Sequence, residues 1–366
     1  MRPLMTTSSS RIDQFDGLRA LAFLGVFAFH AVGIPYTWMG VDQFFVLSGY
    51  LITRNLLGLR RDARPRRAMA VFYYRRALRI IPPYYVALLA IFLLEPVPMS
   101  EAPWYFAFAS NVRDTLYGPL KGQLLAMWSI AVEEQFYLLW PWLILLLPER
   151  RLRIAIVAAI LIAPLARGIL APISSDAVYR LTISRTDFLG LGALIAWIDL
   201  HDVTWLARHR KHFLAGGGMA AGVFTALSLA LPTFELEQHS TLYSTLGFSL
   251  EAATFACVLI IVRLANSGPL YRLLRFPPLE YLGRISYMAY LCHVLCLHLV
   301  KRLDLSGPFT VALGLAATVA FSSASWYLLE QPLQRLRGWV PLRSRATGSK
   351  NSEIESPRAG ETPIES

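Results

Sequence analysis

The feature that most limits the fold is a succession of apolar blocks, each about 17 to 22 residues long, broken by short charged runs. A helix rises ~1.5 Å per residue, so about 20 apolar residues match a hydrocarbon core of roughly 30 Å. A soluble domain would carry about a quarter charged residues. Here 16% are charged and 55% hydrophobic, with a mean hydropathy of +0.46. The pattern predicts an all-α polytopic membrane bundle rather than one soluble core. Ten spans are expected, at about 17–36, 41–58, 78–95, 126–147, 153–171, 187–200, 213–232, 245–264, 282–300 and 309–329.

Charge tests the topology. With ten crossings and both termini cytoplasmic, 28 of the 35 Lys and Arg residues fall on inner segments, and a shift by one crossing scrambles the asymmetry. The connection between the second and third spans, with the helix ends beside it, holds the densest group, from Arg54 to Arg79. The net charge of +11 is therefore topological, and nucleic acid is not expected as a partner. Cys257, Cys292 and Cys296 lie in apolar segments without disulfide or zinc spacing, so no metal is expected. The first apolar segment lacks a small-residue cleavage site and leads straight into a second, which argues against a secretory signal peptide. Residues 1–337 read as one integral-membrane domain, and 338–366, rich in Ser, Gly, Pro, Arg and Glu, as a disordered cytoplasmic tail. The longest outer connection, about 96–125, holds an aromatic run at 104–108 suited to the membrane interface. No internal repeat marks two related halves.

Two ionisable residues interrupt the first segment. Arg19 and His30 are eleven residues apart. Eleven steps of ~100° bring both side chains to one face, roughly 16 Å apart along the axis. Ionisable groups inside a bilayer are expensive and mark function by default. At the inner start of the third segment, Arg76 and Arg79 share a face, beside Arg75. Guanidinium groups hold phosphate oxygens bidentately and keep their charge, so this cluster suits a phosphate-bearing ligand. The plainer alternative is that these arginines only set topology and touch lipid headgroups. The carboxylates gather toward the other side: Asp42 opens the second segment, Glu133 lies about one and a half turns into the fourth, and Asp187 opens the sixth. His30 falls at a depth similar to Glu133, and a carboxylate beside a His is an arrangement for a general base. Glu134 points ~100° away from Glu133, so at most one of them faces a given site. The pattern reads as a phosphate clamp inside, with imidazole and carboxylates toward the outside.

On these residues the sequence resembles the membrane acyltransferase-3 family over about residues 11–333. The resemblance rests on six blocks in order. They are Arg19 to His30; Gly40–Gly49; Arg76 and Arg79 followed by Ile80, Pro82 and Tyr84; Trp128–Tyr137, with Ile130 in place of Leu; Ser286–His293; and Glu330 to Pro332. The resemblance implies transfer of an acyl group, usually acetyl from acetyl-CoA, to a sugar hydroxyl. No cofactor is bound; acyl-CoA is the donor substrate. It implies His30 as the catalytic residue with Glu133 as its helper, and Arg19, Arg76 and Arg79 as the donor-binding set. Asp42, Ser129, Tyr137, Asp187 and His293 stand as acceptor-side or supporting residues. His30 would act as base on the acceptor hydroxyl or carry the acyl group covalently.

The expected protein is therefore an O-acyltransferase of the bacterial inner (cytoplasmic) membrane. Its acceptor would be an exopolysaccharide, an O-antigen or a lipid-linked oligosaccharide, with polysaccharide assembly machinery as a partner. Acylation of a small secreted glycoside such as a macrolide sugar is the alternative. A glycan transporter or flippase is a second, disfavoured because no paired helix breaks fall at corresponding places in two halves. Many family members carry an added C-terminal hydrolase-like domain where this sequence shows a short tail, so the chain is expected to work alone or with a partner.

Overall fold

The computed structural model describes residues 12–120, 122, 124–231 and 241–340. The predicted disordered tail lies almost wholly outside the described residues. In chain order the helices are α1 Gln14–Val32, α2 Gly40–Asp62, α3 Pro65–Leu94, α4 Ala102–Phe106, α5 Ser110–Tyr117, α6 Met127–Leu146 and α7 Glu149–Leu170. They continue with α8 Ser175–Arg180, α9 Thr186–Arg208, α10 Arg210–Ala230, α11 Phe248–Leu264, α12 Gly268–Leu274, α13 Pro277–Lys301, α14 Gly307–Ser325 and α15 Gln331–Arg335. Among the described residues there is no strand. Each of the ten expected spans is a long helix, and eight helical segments are long and apolar enough to cross a membrane. The other two, α2 and α6, carry polar residues toward the core, and α6 also shows an exposed apolar face of Leu138, Leu139 and Trp142.

Several boundaries differ from the sequence reading, for local reasons. α1 stops at Val32 because Gly33 adopts a left-handed conformation (φ 73°) and turns its N–H back to Phe29 O. His30 therefore lies in the last turn of α1, nearer its end than expected. α3 begins thirteen residues before the expected 78, with Pro65 in its first turn, so the arginine-rich connection is helical and only Ala63 and Arg64 separate α2 from α3. α3 keeps Pro82 and Pro83 in its interior. α9 runs on to Arg208 through a kink at Asp202.

Packing fixes which helices share a direction. α1 and α13 run parallel: Asp16 meets Gly283 near their starts, and His30 meets His293 further on. α2 and α9 are also parallel, with Asp42 against Arg185 at one end and Arg54 against Asp199 at the other. α6 follows α2 in the same sense, joined by Ser48 to Glu133 and Trp140 to Thr53. Glycine permits the closest of these approaches. A Cβ on Gly49 would lie 2.0 Å from Leu189 O, and one on Gly192 would lie 2.0 Å from Val46 O. Small residues that let backbones touch are a device of membrane bundles, where lipid offers no hydrophobic drive between helices.

Candidate active site

A cavity opens between α1, α2, α3, α6 and α13, lined by a few convergent polar groups among apolar ones. α1 contributes Arg19, α3 Arg76 and Arg79, and α6 Ser129, Glu133 and Tyr137. Helical spacing explains the set: Arg76 and Arg79 are i,i+3 on α3, while 129, 133 and 137 repeat every four residues along one stripe of α6. Six of the sequence-predicted residues thus share one space. Glu133 lines it and Glu134 does not, as their angular separation requires.

The cavity wall sets three guanidinium groups against one carboxylate. That carboxylate is engaged: Glu133 accepts the Ser48 hydroxyl at 2.6 Å and the Tyr137 hydroxyl at 2.9 Å. Arg76 lies 4.8 Å over the Tyr137 ring, and Arg19 is 3.6 Å from Asp16. Arg79 makes no ion pair within 4.0 Å among the described residues, although Glu330 lies within electrostatic reach. Two more arginines stand beside the cluster. Arg75 precedes Arg76 on α3, and Arg337 comes from the turn Leu336–Trp339, which the Tyr74 hydroxyl holds through Leu336 O at 3.1 Å. Arg337 senses the charges of Arg75, Arg76 and Arg79, and the Nε atoms of Arg75 and Arg337 are buried without a hydrogen-bond acceptor. Such an array can hold an anion carrying several phosphates.

His30 does not line this cavity, and no hydrogen bond joins it to Glu133 among the described residues. The structure gives it a different partner. His30 Nδ1 lies 3.1 Å from His293 Nε2 and 3.0 Å from Val26 O. His293 is fully buried, and its Nδ1 is 2.7 Å from Tyr290 O. Tyr290 connects the two regions: it lines the cavity, its hydroxyl is 2.6 Å from Ser129 Oγ, and its ring packs on His293 with centroids 5.6 Å apart.

Asp42 and Asp187 sit elsewhere, in a buried ionic cluster. Arg185 reaches Asp42 at 3.0 Å, and Arg167 holds Asp187 through contacts of 3.0 and 2.6 Å. Both arginines are wholly buried, and Arg185 lies 4.1 Å from the Phe248 ring centre. Glu251, accepting the Tyr243 hydroxyl at 2.7 Å, completes the group. These carboxylates tie α2, α7, α9 and α11 together.

Sequence reasoning left out Ser48, Ser286, Tyr287 and Tyr290, which line the cavity, and Arg337 beside it. A signal existed for some of them. Ser286, Tyr290 and His293 recur at steps of four and three and so share one face of α13. Arg337 carried none, because it reaches the cluster through a turn.

Fold and site together define a multi-pass membrane protein whose helical bundle encloses a basic cavity and, beyond Tyr290, a pair of imidazoles. The family model described as "Acyltransferase domain" matches residues 12–327, and the chain belongs to this acyltransferase-3 family. Similar curated proteins include the peptidoglycan O-acetyltransferase OatA of Listeria monocytogenes, 29% identical over 365 residues, 90% of this chain and 57% of that protein. The putative peptidoglycan O-acetyltransferase YrhL of Bacillus subtilis is 29% identical over 88% of this chain and 55% of its own length. The O-acetyltransferase OatA of Staphylococcus aureus is 27% identical over 87% and 57%. The chain thus spans a little over half the length of these relatives. No solved structure matches it.

Proposed function

We propose that this protein is an O-acetyltransferase that takes the acetyl group of acetyl-CoA and esterifies a hydroxyl of a cell-wall or exported glycan. The observation that carries the reading is the placement of Arg19, Arg76, Arg79 and Glu133 around one cavity, with His30 further along the helix that supplies Arg19. CoA carries several phosphates, and guanidinium groups are the donors that recognise them. The naming of relatives as O-acetyltransferases, two of them of peptidoglycan, supports the reaction type and an envelope glycan as acceptor.

In the proposed reaction the acceptor O–H gives its proton to the free nitrogen of His30 while its oxygen attacks the thioester carbonyl carbon. The C–S bond breaks, and the CoA sulfur leaves and recovers the proton from His30. In a covalent route the same lone pair attacks the thioester carbon and the CoA thiolate leaves; the acceptor oxygen then takes the acetyl group as the C–N bond breaks, its proton passing to the thiolate. The cavity faces the cytosol, where acetyl-CoA is made, and the His30 end faces outward, in the cytoplasmic membrane of a bacterium. The distribution of charge supports this orientation, since 28 of the 35 Lys and Arg residues fall on the segments assigned to the inner side. Of the cavity arginines, Arg19 lies 3.6 Å from Asp16 and Arg76 packs over the Tyr137 ring.

The test uses the purified full chain with acetyl-CoA and a soluble oligomer of N-acetylglucosamine and N-acetylmuramic acid. Thiol release coupled to acetyl ester formation in the glycan is the expected result. Glycan movement across vesicles without thiol release would overturn the proposal in favour of transport.

A further inference from the structure

The hydrogen bonds around His30 determine which of its nitrogens carries the proton. A backbone carbonyl can only accept, so a ring nitrogen at hydrogen-bond distance from one must be protonated. His293 Nδ1, 2.7 Å from Tyr290 O, therefore carries hydrogen, and in a neutral ring its Nε2 is left as an acceptor. His30 Nδ1, 3.0 Å from Val26 O, carries hydrogen by the same argument and can donate to His293 Nε2 at 3.1 Å. The two carbonyls act independently and agree. His30 is left with its lone pair on Nε2. That nitrogen makes no hydrogen bond among the described residues and is not among their buried unpartnered atoms, so it remains reachable.

We propose that His293 is the positioning residue of the reaction, an imidazole that sets the tautomer and ring angle of His30 as a carboxylate does in a Ser-His-Asp triad. This rests on the reading of His30 as the reacting group. When His30 Nε2 takes the proton of the acceptor hydroxyl, the ring becomes an imidazolium. Its Nδ1–H is then a charge-assisted donor to His293 Nε2, while His293 keeps its own proton on Tyr290 O. A bond to an ionised donor is roughly twice as strong as a neutral one, so the pair is tighter in the charged state than in the resting one. The arrangement needs no carboxylate, which fits the engagement of Glu133 by Ser48 and Tyr137. It also connects the two halves of the site, because the Tyr290 that supplies the carbonyl for His293 lines the donor cavity with its side chain.

The test compares His293→Gln with His293→Leu. Glutamine places an acceptor oxygen as many bonds from Cβ as His293 Nε2, whereas leucine fills the space without one. Thiol release from acetyl-CoA with the soluble glycan is followed at varied donor concentration. His293→Leu should lower kcat about 10- to 100-fold at unchanged donor KM, as removal of a group that orients an active one does. His293→Gln should recover most of it. Equal loss in both variants, or a loss confined to donor KM, would overturn the proposal. A second measurement needs no turnover. NMR of isotope-labelled histidine ring nitrogens, assigned with His30→Gln and His293→Gln, should show His30 protonated at Nδ1 and bare at Nε2. The opposite tautomer refutes the inference whatever the activity. If the wild type releases no thiol while the tautomer is as stated, the acetyl-transfer reading fails and the positioning geometry stands.

Discussion

Replacing Arg79 with alanine separates ligand binding from structure. Arg79 lines the cavity, and its charge acts on Arg19, Arg76 and Arg337, of its own sign, against the opposed charge of Glu330. It makes no ion pair within 4.0 Å among the described residues. Removing it from the unliganded protein therefore deletes a cation from a self-repelling group, and the melting temperature without donor should hold or rise. With CoA bound, the same change removes a charge-assisted contact to phosphate worth about 1.5–3 kcal/mol. At 1.4 kcal/mol per factor of ten, the dissociation constant for CoA should rise about 10- to 150-fold. Calorimetric titration of the purified protein with CoA, beside thermal unfolding without it, reads both quantities. A melting temperature several degrees lower with unaltered CoA affinity would refute the reasoning and make Arg79 a structural residue.

Three further outcomes are expected. Asp187→Asn leaves the wholly buried Arg167 without its counter-charge, so unfolding in detergent should show a loss of about 3–5 kcal/mol; normal stability with lost transfer would instead place Asp187 on the acceptor. Gly192→Val puts side-chain atoms where Val46 O already stands, at 2.0 Å from the first of them, and should drive α2 from α9 and lower the melting temperature sharply. Asp114, outside the membrane helices, is pushed up to about 6 by burial, against the pull of Arg180 and Arg113. Its raised value means that its stabilising contribution is complete when it is protonated and is lost as pH rises through about 6. Asp114→Asn should therefore remove a decline in melting temperature that the wild type shows between about pH 4 and that point.

The helices were legible because apolar blocks of membrane length admit few other structures. Their ends were less so. The arginines from 60 to 67 read as a connection by charge, yet Arg60 and Arg61 end α2 and Pro65 starts a helix that takes in Arg66 and Arg67. The arginine cluster was visible in the spacing of Arg76 and Arg79, since i,i+3 neighbours share a face whatever surrounds them. Partners across helices were hidden. Nothing in the spacing of Asp42 or Asp187 announces Arg185 and Arg167, and a His one turn from a helix end does not say which neighbour will meet it. Glu133 was placed in the cavity by its register on α6, but its hydrogen bonds to Ser48 and Tyr137 depend on how α2 lies against α6.

Arg337 stands ten residues beyond the last position matched to the family, yet its charge meets those of Arg75, Arg76 and Arg79. The charge of the cluster is therefore set in part by a segment that carries none of the six sequence blocks. Sequence exchanged or appended near residue 340 would be tethered within a few positions of these guanidinium groups.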